Sequence, residues 1–237
     1  MLNRKLPVGF IVPAQPVERD KPPAGAGWVH EIKHDGYRLI VRRHGAMVRL
    51  WTRNAVDFTD RFSAIAAAAS HLKAESFTID GEAVVFGPDG LSRFDELRRR
   101  ESAKSAVLFA FDLTEHNGED LRALPFLERK AALARLLRGS KAGILLNEHL
   151  AEEGALVFEH ACRLGAEGIV SKRIDAPYRS APHAAWVKVR NPASIAVQRE
   201  RSGRGRGPRI VLGRRNGNGC SFLKPLGPST RFRQRLP

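Results

Sequence analysis

Apolar positions along the chain come in short runs, and their spacing switches between two and about four. The runs WVHEIK (28–33), YRLIVRR (37–43) and MVRLWTR (47–53) have strand length and are separated by His34-Asp35-Gly36 and His44-Gly45, both turn signals. Three consecutive strands with hairpin-like connections are therefore expected. Phe62 to Lys73 is Ala-rich and predicts a helix, SFTIDGEAVVFG (76–87) a strand pair or one long bent strand, and Ser92 to Arg100 a short helix. AVLFAFDL (106–113) reads as a buried strand ended by Asn117-Gly118. Pro125 suits a first helical position, after which Phe126, Leu133, Leu136 and Leu137 give an apolar face at helical spacing.

Further on, Ile144 to Asn147 predicts a short strand. Glu152 and Glu153 favour a helix N-terminus, Val157, Ala161 and Leu164 supply its inner face, and Gly165 can end it. EGIVSKRI (167–174) and AWVKVR (185–190) read as strands. The sum is an α+β chain of antiparallel sheets with helices outside. Residues 1–27 carry Pro7, Pro13, Pro16, Pro22 and Pro23 and read as an extended lead-in, so the folded domain is expected over 28–196. After Arg190 the pattern dissolves. Residues 197–237 hold seven Gly and four Pro with no sustained apolar period, which predicts a flexible arm.

Charge sharpens that division. The net charge is +15, and residues 197–237 contribute eleven Arg or Lys against one acid, Glu200; +10 therefore lies in the arm and +5 in residues 1–196. Such an excess points to a polyanionic partner, nucleic acid above all, because neutralising phosphates releases condensed counterions. Cys162 and Cys220 lie far apart with no CxxC or His-rich spacing, so neither a disulfide framework nor a zinc site is suggested. No window reaches bilayer-spanning length and MLNRKLPVGF lacks a secretory apolar core, so a cytoplasmic protein with no membrane partner is expected.

One set of polar residues follows a fixed order through the strands. It begins at Glu31-Ile32-Lys33-His34-Asp35-Gly36-Tyr37-Arg38 and continues with Thr52-Arg53-Asn54, Asp80-Gly81-Glu82 and Ala110-Phe111-Asp112-Leu113. Glu167-Gly168-Ile169-Val170-Ser171-Lys172 and Trp186-Val187-Lys188-Val189-Arg190 complete it. A lone Lys-x-Asp-Gly is usually a solvated strand end followed by a turn. Six elements in this order resemble the signature series of the covalent nucleotidyltransferases, and most closely the ligase domain of bacterial ATP-dependent DNA ligases of the end-joining type.

The resemblance implies an ATP-grasp-like nucleotidyltransferase fold and a lysine, Lys33, that becomes attached to AMP. It implies that Glu31 and the backbone at Ile32 contact adenine, that Phe111 stacks on it, and that Arg38 and Arg53 hold ribose or the 5′-phosphate of a nick. Glu82 would meet the ribose hydroxyls or a metal, Glu167 the metal, and Lys188 the α-phosphate. Physical chemistry supports these residue types. A lysine must be neutral to attack phosphorus, which neighbouring cations such as Lys172 and Lys188 and partial desolvation favour. Charge spreading over phosphoryl oxygens calls for cations, here Lys172, Lys188 and Arg190. Magnesium or manganese bound mainly through phosphates needs only one or two carboxylates, here Glu82 and Glu167. By pattern alone, Phe111 and Trp186 are core, Glu82 pairs with an Arg, and Asp35 and Gly36 serve the turn, where Gly permits positive φ. His34 and Asp112 read as structural.

Two departures from the family stand out. Arg190 replaces the second lysine of the usual final pair. Family members also continue into an OB-fold, and the 47 residues after Arg190 lack the alternation such a barrel needs. A catalytic domain without an OB-fold is expected, either stand-alone or with an altered reading frame near Arg201. Nicked double-stranded DNA, and a separate end-joining or OB-fold partner, are the implied partners of a nucleoid-associated monomer. Alternative readings are an RNA ligase or capping-type enzyme with the same chemistry, and a non-catalytic DNA-binding remnant.

Overall fold

A computed structural model describes residues 6–88, 90, 92–140 and 143–202. Two mixed sheets carry the architecture. The first, in spatial order, contains β1 (Gln15–Glu18), β11 (Pro182–Arg190), β10 (Gly168–Arg173), β2 (Trp28–Lys33) and β9 (His149–Leu150). The second contains β4 (Met47–Thr52), β3 (Tyr37–His44), β5 (Ser76–Val84), β6 (Val107–His116) and β7 (Glu119–Asp120), with β8 (Ile144–Leu146) also paired to β6. All pairings are antiparallel except β1 with β11 and β6 with β8. The helices are α1 (Ser63–Ser70), α2 (Phe94–Arg98), α3 (Arg100–Ala103), α4 (Phe126–Leu136), α5 (Gly154–Arg163) and α6 (Ile195–Arg201).

Each sheet buries one face. Leu39, Val41, Ile79 and Leu108 of the second sheet pack with Phe62, Ile65 and Ala69 around α1 and Leu133 and Leu136 of α4. Burying each large side chain there contributes about 1.5–3 kcal/mol. Under the first sheet, Val157 and Ala161 of α5 meet Ile169, Val187 and Val189. The expected Leu164 is 69% exposed instead. It lies one residue past the end of α5, where the chain turns at Gly165 (φ +73°) and swings it outward.

The expected hairpin between the first two strands does not form. β2 belongs to one sheet and β3 to the other, so His34-Asp35-Gly36 is a crossover between sheets, while His44-Gly45 does close the β3–β4 hairpin. Gly36 is not at positive φ. It is required because a Cβ there would stand 2.1 Å from the Ala83 carbonyl oxygen of β5. The Pro-rich lead-in contributes a strand, β1, and the dissolved region after Arg190 contributes α6, which crosses the expected boundary at 196/197. Ser194 caps α6 by accepting the Val197 N–H, and Ala196 and Val197 are buried. The expectation of a flexible arm falls, from residue 203 on, outside the described residues, as does Cys220. Among the described residues no helix is long and apolar enough to cross a membrane.

Candidate active site

Strand period and register bring the candidate residues of the first sheet onto one face. Glu31 and Lys33 alternate along β2, and Trp186, Lys188 and Arg190 along β11. Between them in β10, Val170 pairs with both Glu31 and Lys188, and Gly168 with both Lys33 and Arg190. Gly168 lets the strands close up around Lys33. Its φ is +148°, and a Cβ would lie 2.0 Å from the Val189 carbonyl oxygen.

The second sheet supplies the opposite wall. Arg38 of β3 pairs in register with Glu82 of β5, and Phe111 comes from β6. Arg38, Arg53, Glu82 and Phe111 line one cavity of about 270 Å³ with Glu31, Ile32, Lys33, Lys172, Lys188 and Arg190. That volume falls just below the usual range for small-ligand sites, about 300–1,000 Å³. Ten of the eleven residues singled out in the sequence thus share a cavity. The eleventh, Glu167, reaches Lys33 from beside it, with an Oε1–Nζ distance of 2.5 Å.

Charges in the cavity are strongly paired. Glu31 is buried between Lys130 of α4 (2.5 Å) and Lys172 (2.8 Å). Burial alone would push its carboxyl up, but the two ammonium groups hold it below the usual range. Burial also lowers Lys172, whose Nζ lies 4.0 Å from the Trp186 ring centroid and 4.6 Å from that of Phe111. Burial pushes Glu82 up to about 8, with Lys33 and Arg38 pulling down and Glu167 and Asp35 pushing up. Glu167 is likewise raised by burial, partly offset by Lys33. Two desolvated carboxylates that both feel the Lys33 charge favour a cation in their vicinity. Among the described residues no group of three or more His, Cys, Asp or Glu gathers as a metal cage, so the donors fit an ion that takes its other ligands from phosphate.

Several assignments change in detail. Lys33 pairs directly with a carboxylate, Glu167, while the cations Lys172 and Lys188 share its cavity. Arg38 is not a free guanidinium. It makes a bidentate pair with Asp80 (2.9 and 2.6 Å) and donates to the Ala14 carbonyl, while Tyr178 donates to Asp80 at 2.6 Å. Burial works against its charge, yet Asp80 keeps it raised. Arg53 is exposed and donates to Gln15. Lys188 and Arg190 meet Glu18 at 3.2 and 3.5 Å, and Arg190 also donates to Glu200. His34 stacks on Phe109 at 4.1 Å and bonds Asn147, whose amide also donates to Ile32 O. Asp112 forms a fully buried pair with Arg129. Phe111, partly exposed, presents its ring to the cavity beside Trp186.

Lys130, Asn147, Glu18 and Glu200 went unnoticed in the sequence. For Lys130 a signal existed. It falls four residues after Phe126 and three before Leu133, so a lysine stood on the apolar stripe of a helix, where it needed a buried anion. Glu18 and Glu200 offered none, because each reaches the cations of β11 through elements that tertiary packing alone orders.

Comparison with known proteins gives a consistent picture. The family model for the ATP dependent DNA ligase domain matches residues 18–190. The multifunctional non-homologous end joining protein LigD of Pseudomonas aeruginosa is 38% identical over 175 residues, covering 72% of this chain and 21% of that protein. A probable DNA ligase of Streptomyces avermitilis is 36% identical over 176 residues, covering 68% and 34%. The chain therefore spans about a fifth to a third of the length of these relatives. The ligase domain of M. tuberculosis LigD superimposes with a TM-score of 0.66 at 28% identity, covering 76% of this chain and 60% of that one. A mycobacterial DNA ligase D complexed with ATP and MES gives 0.66 at 26%, with the same coverage. The order of signature elements, their convergence around Lys33 and the extent of these matches agree, and the chain belongs to the ATP-dependent DNA ligase family.

Proposed function

We propose that this chain is the adenylation domain of a DNA ligase that joins nicked duplex DNA in repair, with Lys33 as its nucleophile. The observation that carries this is Lys33 at the end of β2, held by Glu167 and opening on a cavity walled by Phe111, Glu82, Lys188 and Arg190. Phe111 offers adenine an aromatic face, with the Ile32 backbone beside it. Lys188 and Arg190 face the phosphates once these displace Glu18 and Glu200. Glu31, locked between two lysines, fixes the floor on which the base rests. Arg38 braces Asp80 and the wall, and Arg53 stands at the rim.

In the first step the Lys33 ammonium loses a proton to solvent, its Nζ bonds to the α-phosphorus of ATP as the bond to pyrophosphate breaks, and a second Nζ proton is released to give the phosphoramidate. Glu82 and Glu167 would hold a magnesium or manganese ion, which would supply neutralisation of phosphate charge when bound. AMP then passes to a DNA 5′-phosphate with cleavage of the P–N bond. A 3′-hydroxyl finally attacks that phosphate and expels AMP. The names of the relatives, an end joining protein and a DNA ligase, and the basic arm support DNA as the substrate.

Labelled ATP with magnesium or manganese tests this. An acid-labile, base-stable protein–AMP adduct is expected, since a phosphoramidate leaves readily when its nitrogen is protonated. Adduct persisting in Lys33→Ala would place the nucleophile elsewhere. Labelling by GTP in place of ATP would favour a capping enzyme, and joining of nicked RNA but not DNA an RNA ligase.

A further inference from the structure

The helix α6 lies in the segment whose sequence carried no pattern, yet it reaches back to the turn that follows Lys33. Asn191 anchors its approach, its side chain donating to the Ala166 carbonyl at 3.0 Å and its backbone N–H to the Glu167 carbonyl at 2.8 Å. From α6, Arg199 donates to both carboxylate oxygens of Asp35 at 2.7 and 2.9 Å. Only 13% and 14% of the two side chains is exposed, and the guanidinium also covers the Phe94 ring at 4.4 Å. Both bonds come from one nitrogen, Nη2, and the burial of the two side chains makes this charge-assisted contact a strong one. Asp35 is two residues from Lys33 in the crossover between the sheets, so its position sets where β2 ends and the cavity begins.

We propose that α6 is an in-cis clamp on the nucleophile turn, with Arg199 acting through Asp35 as a positioning residue for nucleotidyl transfer to Lys33. The proposal rests on the adenylation reading above. Arg199 does not line the cavity, so it holds the nucleophile rather than the nucleotide. The next residue, Glu200, lines the cavity and pairs with Arg190, which ties the same helix to the opposite side of Gly168. α6 therefore grips the two strand ends, β2 and β11, that flank Lys33.

The test is single-turnover formation of the Lys33–AMP adduct by the full chain across a range of ATP concentrations. Arg199→Ala should lower the maximal rate by at least about tenfold while the ATP concentration for half-maximal rate stays unchanged. Arg199→Lys, which keeps the charge and a single donor nitrogen but loses the planar guanidinium over Phe94, should recover part of that rate. In an Asp35→Asn background Arg199→Ala should cost little more, because the contact it serves is already weakened. Circular dichroism melts identify any variant that is unfolded, and the Asp35→Asn background then decides. An unchanged maximal rate in Arg199→Ala, or fully additive losses in the double variant, overturns the clamp and leaves the adenylation reading intact. Absence of any adduct in the unmodified chain overturns both.

Discussion

Replacing Arg129 by Met should be among the most damaging single substitutions in this domain. Arg129 and Asp112 are both fully buried, joined at 2.8 and 2.9 Å, and Arg129 also donates to the carbonyls of Leu124 and Ala176. Methionine fills much of the volume but leaves the Asp112 carboxylate, among the described residues, with only the Leu113 N–H, at 2.9 Å. An orphaned buried charge costs about 3–5 kcal/mol. The two stranded carbonyls add roughly 1–3 kcal/mol between them, after relaxation. The sum, about 4–8 kcal/mol, is comparable to the whole stability of an ordinary domain, on the order of 5–15 kcal/mol. Since about 2–4 °C of melting temperature accompanies each kcal/mol in a domain of this size, a fall of roughly 8–32 °C is expected. Urea unfolding followed by circular dichroism reads the free energy directly. Asp112→Leu combined with Arg129→Met removes the orphaned charge and should recover the larger part of the loss, leaving the carbonyl contribution. A cost below about 1 kcal/mol for Arg129→Met, or no recovery in the double variant, would refute this account of the pair.

Glu82 should make stability depend on pH. Its carboxyl is raised from 4.5 to about 8, so the folded state favours the protonated form; that contribution is complete below pH 4.5 and is lost as pH climbs through 8. The loss is at most about 5 kcal/mol, less because the side chain is partly exposed, and Glu82→Gln should flatten it in urea titrations at pH 5 and 8.5. Gly36→Ala should destabilise by about 2 kcal/mol or more and cut adduct formation, because the Ala83 carbonyl cannot retreat without unpairing β3 from β5; a neutral melt would show that the turn is pliable. Glu18→Gln removes a half-exposed competitor from Lys188 and Arg190 and should tighten ATP binding about two- to fivefold by calorimetry, whereas weaker binding would make Glu18 part of the nucleotide site.

Most of the local structure was legible in the sequence because short range decides it. Alternation placed β3, β4 and β6, the Ala-rich run placed α1, and Asn117-Gly118 ended β6 where expected. The ordered polar series singled out residues that converge on one cavity because strand period two sends Glu31 with Lys33, and Lys188 with Arg190, to a common face whatever lies around them. Which strands become neighbours is a different matter. The crossover at Gly36 depends on the approach of Ala83, forty-seven residues away, and no local preference encodes it. The partners of the charges were equally hidden. That Glu31 meets Lys130, that Asp80 takes Arg38 and Tyr178, and that Arg199 takes Asp35 depends on pairs separated by 42 to 164 positions. Sequence determined which chemical groups the domain carries and which way each strand presents them. Tertiary structure decided which of those groups are neutralised, desolvated or left to meet a substrate, because burial and Coulomb attraction act across space rather than along the chain.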